Sequence, residues 1–441
     1  MLNEKEKKYI VILTDGASDY GLEELGGRTP LQVAEKPFID YLAKHGIAGM
    51  VKTIPGNATP GSDTANLSIL GYAPDKLASC RSSLEAVSIG VKLADSDITY
   101  RCNLVTLSGE EAYEDKTMLD YSAGEITTEE SKVLISEIAE NLNTKDIRFH
   151  PGVSYRHVIV WNNGSAGGDA GFETEKGPDK KQDGVLLVPP HDISGKRIRD
   201  FLPSGWNGNR ILDLMKRSSV ILRDHPVNRK RVQEGKNPAN SIWIWARSKK
   251  PVLDNFYEKY GLKGSVISAV DLVKGIGICA GMKVIEVNGA TGNIHTNFEG
   301  KADAAISEIT GGQDFVYIHI EAPDECGHQG NISCKIKAIE LIDKRVVKRI
   351  LERPELQNFS YRIMILPDHP TPISIRTHSP DPVPFIIYDS DFARVAGAEK
   401  PEAAFDEFYP QSTGLFIKEG SMLMDFFLRL NNPFLSDNKK K

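Results

Sequence analysis

Apolar residues in this chain fall into short runs, separated by longer segments with apolar positions at helical spacing. The short runs, which are rich in β-forming residues, are YIVILT (9–14), AGMVKTI (48–54), KVIEV (283–287), FVYIHI (315–320), YRIMIL (361–366) and PFIIYD (384–389). Segments 301–309 and 332–353 show the spacing of amphipathic helices. Strands that alternate with helices predict an α/β fold with a doubly wound, mostly parallel sheet.

The N-terminal part contains two further helix signals. Residues 26–46 predict one helix, with Pro30 near its start and Gly46 at its end. The turn cluster NATPGSD then leads into DTANLSILGY, a predicted helix over 63–72. Ser62 lies at the N-cap or in the first turn of this helix, where backbone N–H groups lack partners inside the helix.

The chain changes character between residues 106 and 235. Turn-rich stretches such as NNGSAGGDAG surround one alternating strand, SYRHVIVW, and two amphipathic helices, 128–142 and 207–222. We interpret 106–235 as an inserted smaller α+β domain that divides a core made of 1–105 and 236–441. Such an insertion suits a lid that closes over a site and excludes water. A surface elaboration without a role in the site is the alternative.

Composition limits the classes of function. Charged residues make up 26% of the chain and hydrophobic residues 40%, as in ordinary globular proteins. The net charge of −6 argues against a nucleic-acid partner. The sequence contains no run of about 18 apolar residues, so no membrane span is predicted. The charged start MLNEKEKK lacks the pattern of a signal peptide. We therefore expect a cytoplasmic protein. Its oligomeric state cannot be read from the sequence.

The five cysteines include no C-x-x-C pair. This pattern fits a protein with reduced thiols better than a disulfide framework. Cys326 lies inside the segment PDECGH, between an acid and a histidine. It could be a soft metal ligand, but we favour a small residue that fills a tight turn.

Acidic and imidazole side chains stand just after the predicted strands. They are Asp15 after 9–14, Asp324 and His328 after 315–320, and Asp368 and His369 after 361–366, with His378 further on. The carboxyl ends of parallel strands meet at one edge of a sheet, so these groups are expected to converge. Carboxylate oxygens together with imidazole nitrogens suit two divalent metal ions. Mn²⁺ is the ion we favour, and Mg²⁺ and Zn²⁺ are the alternatives. An Asp after a strand can also be a simple helix N-cap.

Ser62 adds a nucleophile to this metal chemistry. A serine hydroxyl is a weak nucleophile until a metal or a base activates it. The start of a helix can receive phosphate oxygens on its N–H groups. Two metals, a serine and a helix N-terminus together indicate phosphoryl transfer through a phosphoserine. A plain N-cap is the alternative for this serine.

The same segments resemble a known family. VILTDGASD, TPGSDTANLSILGY, HIEAPDECGHQGN, LPDHPTP and RTHSPDPVPF are similar in order and spacing to motifs of archaeal-type 2,3-bisphosphoglycerate-independent phosphoglycerate mutases. These enzymes belong to the alkaline phosphatase superfamily. The resemblance implies an alkaline-phosphatase-like core and two sets of metal ligands. One set comprises Asp15, Ser62, Asp368 and His369, and the other comprises Asp324, His328 and His378.

The resemblance also implies a reaction. It is the interconversion of 3-phosphoglycerate and 2-phosphoglycerate through phospho-Ser62, without 2,3-bisphosphoglycerate. A bacterial branch of the family has been proposed to act as a homoserine kinase, so transfer to another small hydroxy acid is the alternative. A third possibility is a catalytically silent metal-binding protein. The intact set of ligand positions argues against it.

A substrate that carries a carboxylate and a phosphate requires cationic partners. Arg is preferred because its planar fork binds either group with two hydrogen bonds. The candidate substrate-binding residues are Asn66, Arg101, Arg156, His191 and Lys274. Each could instead have a structural role.

One segment departs from the family pattern. After LGYAP the chain reads DKLASCRSSLEAVSIGV, where archaeal-type members have a glycine-rich, arginine-bearing segment that ends in FEA. Arg81 and Glu85 are retained, whereas serines replace glycines and Leu84 replaces the aromatic residue. The departure leaves the metal chemistry intact and the identity of the substrate open.

Overall fold

The structure, a computed structural model, describes residues 6–56, 58–74, 80–162, 186–205, 207–396 and 400–430. The chain divides into two compact units. The first contains Met1–Lys76 and Val252–Lys441, and the second contains Leu77–Pro251. The second unit extends beyond the expected 106–235 on both sides. The reason is that strands Ile98–Leu107 and Ser241–Ser248 pair with each other, which places both in the sheet of the second unit.

The strands are, in chain order, β1 (Lys7–Thr14), β2 (Ile47–Val51), β3 (Ile98–Leu107), β4 (Met118–Asp120), β5 (Ile147–His150), β6 (Arg156–Trp161), β7 (Ser241–Ser248), β8 (Gly264–Ile267), β9 (Lys283–Ile285), β10 (Phe315–Ile320), β11 (Ser360–Leu366), β12 (Val383–Asp389) and β13 (Phe416–Ile417). The apolar runs of the sequence thus correspond to strands. The sequence analysis did not identify β3 and β7 as strands, although β3 is buried along its whole length.

The α-helices are α1 (Pro30–Val33), α2 (Pro37–Lys44), α3 (Ser62–Ile69), α4 (Arg81–Ser88), α5 (Thr128–Leu142), α6 (Gly208–Leu222), α7 (Pro226–Gln233), α8 (Phe256–Tyr260), α9 (Asp271–Cys279), α10 (Phe298–Thr310), α11 (Ala322–His328), α12 (Ile332–Ile342), α13 (Lys348–Leu351), α14 (Ser390–Ala396), α15 (Phe408–Ser412) and α16 (Leu423–Arg429). A π-helical segment, Asp343–Val347, joins α12 to α13. Short 3₁₀ helices include Pro190–Ile193.

The predicted single helix over 26–46 is wrong: the structure has two helices, α1 and α2. Thr29 caps α1 with a capping box that includes Gln32. The chain then becomes extended at Ala34, because the ring of Pro37 and its missing N–H do not allow one helix to continue through this position. Pro37 instead occupies the first turn of α2, where its missing N–H costs nothing.

The first unit is built on an eight-stranded sheet with the order β13-β2-β12-β11-β1-β10-β8-β9. The pairs β11–β1, β1–β10, β10–β8 and β8–β9 are parallel, whereas β12 pairs antiparallel with both β11 and β2. The central strand β1 is almost completely buried, as expected for a sheet with both faces covered. The expected α/β class with a mostly parallel sheet is confirmed.

The second unit is an α+β unit with its own apolar core. Its sheet has the order β4-β3-β6-β5, and β7 also pairs with β3; all of these pairs are antiparallel. Helices α5 and α6 bury leucine and isoleucine side chains in that core.

Among the described residues, no helix combines the length and the apolar character needed to cross a membrane.

Truncation of the central strand should destabilise the first unit. We expect Ile12→Ala to lower the free energy of unfolding by about 2 to 5 kcal/mol, because the Ile12 side chain is fully buried and its loss leaves a cavity. Urea unfolding followed by circular dichroism measures this change. The control Val252→Ala removes a side chain that is 86% exposed in the same unit and should stay within about 0.5 kcal/mol of the parent.

Candidate active site

The acidic residues of the sequence motifs converge at one edge of the first sheet. Strands β11, β1 and β10 are adjacent and parallel, so their carboxyl ends lie side by side. Asp15 directly follows β1, Asp368 follows β11, and Asp324 lies in α11 just after β10. Each of these three carboxylates is less than a tenth exposed. The order of the strands therefore assembles a buried cluster of acids.

Gly16 allows two of these loops to meet. Its φ of +64° lies in the left-handed region, which side-chain-bearing residues rarely adopt. A Cβ atom at this position would lie 2.6 Å from the Cα atom of Asp324. The N–H of Gly16 donates to Asp368 Oδ1 at 3.2 Å. The glycine thus lets the backbone after β1 approach Asp324 and also holds Asp368.

A first group of possible ligands surrounds Ser62. Ser62 is the first residue of α3, and its Oγ lies 3.2 Å from His369 Nε2. His369 Nε2 lies 3.4 Å from Asp368 Oδ2 and 3.8 Å from Asp15 Oδ1. Asp15, Asp368 and His369 form one of the clusters that could hold a metal ion. The structure therefore brings together the four residues that the resemblance assigns to one ion.

A second group contains Asp324, His328 and His378. The Nε2 atoms of the two histidines are 3.0 Å apart. His328 Nε2 lies 3.2 Å from Asp324 Oδ2, and His378 Nε2 lies 3.5 Å from Asp324 Oδ1. The rings of His369 and His378 are 4.0 Å apart between centroids, so the two groups are neighbours.

The pKa shifts in the site show that its buried acids require compensating positive charge. Burial, together with the carboxylates of Asp368 and Asp324, raises the pKa of Asp15 well above its usual range. Burial opposes ionisation of Asp324 as well, but hydrogen bonds from His328 and His378 outweigh it and hold the pKa of Asp324 well below its usual range. For His328, the partner Asp324 outweighs burial and raises the pKa to about 9. Without another cation, protons must therefore compensate the crowded acids.

These residues fit divalent metal ions. Asp15 Oδ1 is buried and has no hydrogen-bond partner among the described residues. His328 Nδ1 lies 3.1 Å from the carbonyl oxygen of Arg376, and His378 Nδ1 lies 3.4 Å from that of Pro60. If each Nδ1–H donates to its carbonyl, both Nε2 atoms present lone pairs to the same space. A bound cation would accept electron density from the unpartnered Asp15 oxygen and from the two Nε2 lone pairs, which otherwise face the same space.

Asn66 holds the first group in place. Its Nδ2 donates to Asp368 Oδ2 at 3.2 Å and to the carbonyl oxygen of Ser62 at 2.8 Å. Its Oδ1 accepts from the hydroxyl of Tyr317 at 2.7 Å. The amide of this candidate substrate-binding residue is therefore engaged with the protein itself. Lys274, another candidate, pairs with the carboxylate of Glu286 at 2.8 Å.

The remaining candidates, Arg101, Arg156 and His191, lie in the second unit. Arg156 is opposite Asn103 in the β3–β6 pair, two positions along β3 from Arg101, so both arginines lie on the same face of the sheet. The Arg101 guanidinium is 4.5 Å from the centre of the Trp245 ring, and His191 packs against the same ring at 5.5 Å. Arg101 and His191 thus both lie against the Trp245 ring, in one polar and aromatic cluster.

The departure from the family pattern lies in α4, next to this cluster. Ser82 is fully buried and hydrogen bonds with Thr99 at 2.8 Å, and Ser83 donates to the carbonyl oxygen of Cys80 at 2.7 Å. Glu85 pairs with Arg101 at 3.0 Å. The serines that replace glycines therefore fill the core of the unit, while Glu85 anchors an arginine. Residues 75–79 of this segment lie outside the described residues.

The chain is similar to known proteins over almost its whole length. The family model described as 2,3-bisphosphoglycerate-independent phosphoglycerate mutase matches residues 43–228. A probable mutase of this type from Geobacter sulfurreducens is 47% identical over 421 residues, which cover 96% of this chain and 99% of that protein. A mutase of this type from Methanosarcina acetivorans is 48% identical over 423 residues, which cover 96% of this chain and 100% of that protein.

This chain belongs to the 2,3-bisphosphoglycerate-independent phosphoglycerate mutase family. A solved structure of the PH0037 protein from Pyrococcus horikoshii has a TM-score of 0.76 with this chain, at 27% identity and 97% coverage of both chains. The cofactor-independent phosphoglycerate mutase from Thermoplasma acidophilum has a TM-score of 0.58, at 25% identity, and covers 97% of this chain and 100% of its own. The predicted family is confirmed.

Sequence reasoning missed two polar residues that support this mutase-family site. His319 lies in β10 and contacts Asp15 Oδ2 at 2.9 Å through Nε2. Thr371 donates a hydrogen bond from Oγ1 to Asp324 Oδ1. A histidine in the otherwise apolar run FVYIHI was a usable signal, because a buried imidazole requires partners. Thr371 gave no comparable signal.

The expectation for the cysteines requires a correction. Cys326 and Cys334 are paired as a disulfide, with their Cα atoms 5.6 Å apart. The pair forms because the turn between α11 and α12 brings positions from consecutive helices together. Cys326 lies in α11 rather than in a turn, and its sulfur faces Cys334 rather than a metal site.

Metal analysis should show two ions per chain. We expect the parent, stripped with a chelator and reloaded with Mn²⁺, to retain two ions, because two ligand groups converge in the first unit. Asp368→Asn and His378→Ala should each retain one. The control His295→Ala changes an exposed histidine and should retain both. One ion per chain in a fully active parent would contradict the two-ion arrangement.

Proposed function

We propose that this chain interconverts 3-phosphoglycerate and 2-phosphoglycerate through a phosphoserine on Ser62, independently of 2,3-bisphosphoglycerate. The observation that supports it most is the position of Ser62 Oγ, 3.2 Å from His369 Nε2, at the first residue of a helix and beside a buried group of acids. The names of relatives that match over nearly the whole chain support the same substrates.

Ser62 is the proposed nucleophile. Its Oγ forms a bond to phosphorus while the bond from phosphorus to one glycerate oxygen breaks, so the phosphoryl group moves to the serine. The oxygen released from phosphorus takes up the proton that the serine lost. The other hydroxyl of the glycerate then gives up its proton and attacks the phosphoserine, and the bond from phosphorus to Ser62 Oγ breaks, which restores the serine hydroxyl. Backbone N–H groups of the first turn of α3 are suited to donate hydrogen bonds to the phosphoryl oxygens.

Two divalent ions are the proposed cofactors, with Mn²⁺ favoured by the mixed carboxylate and imidazole ligands. Asp15, Ser62, Asp368 and His369 would hold one ion, and Asp324, His328 and His378 the other. When bound, the ions would lower the charge on the serine and phosphoryl oxygens and so favour in-line displacement. Asn66 and the N–H of Gly16 keep Asp368 oriented in the absence of any ligand.

The arginines of the second unit are the proposed substrate anchors. Burial lowers the pKa of Arg101 to about 10, which still leaves the side chain charged at neutral pH. Its ion pair with Glu85 and its contact with Trp245 fix its direction. We assign Arg101, Arg156 and His191 to binding the carboxylate and phosphate of the glycerate. The expected role of this unit as a lid that protects the phosphoserine from water is part of the proposal.

Loss of the nucleophile should abolish the reaction. We expect Ser62→Ala to fold normally and to show no measurable interconversion in an enzyme-coupled assay with 3-phosphoglycerate and Mn²⁺. The parent, but not the variant, should incorporate the phosphoryl group from labelled substrate at residue 62, detected by mass spectrometry. The control Ser136→Ala removes an exposed hydroxyl and should retain full activity. Parent-like turnover by Ser62→Ala would sink the phosphoserine mechanism.

A second assay separates the alternative reaction. When the parent is incubated with ATP and homoserine, we expect phosphohomoserine to form much more slowly than the parent interconverts the phosphoglycerates. Faster phosphorylation of homoserine than interconversion of phosphoglycerates would favour the kinase reading. A strict requirement for 2,3-bisphosphoglycerate would contradict both the independence from this compound and the serine intermediate.

Removal of a proposed substrate anchor should act through substrate binding. We expect Arg156→Ala to raise KM for 3-phosphoglycerate by about tenfold or more, because a hydrogen bond between charged groups contributes about 1.5 to 3 kcal/mol. Arg148→Ala, which removes an exposed arginine from the neighbouring strand β5, is the matched control. Equal KM values for the two variants would show that Arg156 does not bind substrate.

A further inference from the structure

His319 is a polar side chain in an otherwise apolar strand. It lies in β10, next to the end of the strand, and none of its surface is exposed. The parallel register pairs it with Leu13 of β1, two residues before Asp15. A buried imidazole is stable only when its nitrogens have partners, so the identity of those partners indicates its role.

Both ring nitrogens of His319 are engaged. Nε2 lies 2.9 Å from Asp15 Oδ2, and Nδ1 lies 3.2 Å from the hydroxyl oxygen of Ser268, just after β8. The buried ammonium group of Lys301 also donates to the backbone carbonyl oxygen of His319 at 2.8 Å. The imidazole ring therefore bridges Ser268 and Asp15, and Lys301 of α10 holds the backbone of His319.

The hydrogen bonds of Ser268 favour one position for the proton of the ring. The N–H of Val270 donates to Ser268 Oγ at 2.9 Å, which leaves the serine hydrogen to be donated elsewhere. His319 Nδ1 is 3.2 Å away, whereas the carbonyl oxygen of Val270 is 3.5 Å away. If the hydroxyl donates to Nδ1, the nearer of the two acceptors, that nitrogen is unprotonated, and the proton of the ring is on Nε2, facing Asp15.

We propose that His319 is a positioning residue whose Nε2–H fixes Oδ2 of Asp15, so that Oδ1 is the oxygen presented to a metal ion. Oδ1 is the oxygen that has no hydrogen-bond partner among the described residues. With Oδ2 held, the carboxylate cannot rotate freely about its terminal bond, and the ion meets an oriented ligand. Groups that orient metal ligands typically contribute a factor of about 10 to 100 in metal affinity. The inference rests on the proposed role of Asp15 as a metal ligand.

The tautomer can be measured without any metal. In metal-free protein labelled with ¹⁵N, long-range proton–nitrogen correlations should show Nε2 of His319 as the protonated nitrogen and Nδ1 as the unprotonated one. The signal is assigned by its absence from the spectrum of His319→Gln. A proton on Nδ1 alone, or on both nitrogens, would overturn the proposed hydrogen-bond direction.

Metal affinity provides the second readout. His319→Leu should weaken Mn²⁺ binding at one of the two sites by about 10- to 100-fold and leave the other site unchanged. His319→Gln, which can place an N–H near the position of Nε2, should recover most of that loss. A structural defect would instead weaken both sites and lower the melting temperature of the metal-free protein, which is measured in parallel.

The outcomes separate this inference from the proposed function. Two unchanged Mn²⁺ affinities in His319→Leu, with two ions bound by the parent, would overturn the role of His319 and leave the two-metal mechanism standing. A parent that binds no Mn²⁺ would overturn the two-metal mechanism, and with it the inference. If His319→Leu does not fold, the tautomer measurement decides the question together with the Mn²⁺ affinities of His319→Gln and His319→Ala. Equal Mn²⁺ affinities of these two variants would contradict the orienting hydrogen bond.

Discussion

The crowding of three carboxylates at the edge of the parallel sheet is the constraint on which the site depends. Asp15, Asp324 and Asp368 are all buried, and Asp15 is held near two like charges. Ionised groups removed from water are costly unless opposite charges or hydrogen bonds compensate them. Histidines, backbone N–H groups and the amide of Asn66 supply part of that compensation, and divalent ions would supply the rest.

The supporting residues are placed so that each acid presents a defined side. Asp368 accepts from the N–H of Gly16 and from Asn66, while Asp324 accepts from Thr371. These partners belong to different loops and helices, each fixed by the sheet. A site of this kind is oriented before any ligand binds, which is the condition for electrostatic catalysis without reorganisation at the moment of reaction.

The two units display different charged groups on different sheets. In the first unit, parallel strands gather acids at their carboxyl ends, which suits metal ions. In the second unit, antiparallel strands display Arg101 and Arg156 on one face beside Trp245. Glu85 neutralises part of that positive charge and fixes the direction of Arg101. A planar cation held against an aromatic ring binds an oxyanion with little further loss of side-chain freedom.

The sequence by itself determined the class of fold and six of the eight strands of the first sheet, and it predicted that seven residues converge in one site. The strands could be predicted because buried strands are short apolar runs, and Asp15, Asp324 and Asp368 because they closely follow such strands. The sequence did not determine the break between α1 and α2 or the extent of the second unit, because the pairing of β3 with β7 joins segments far apart in the chain. Only the tertiary structure decided that β1 lies between β10 and β11, that Asn66 serves Asp368, and that His319 contacts Asp15. Those contacts depend on strand order and on side-chain direction, and neither is encoded in the local periodicity of the residues that make them.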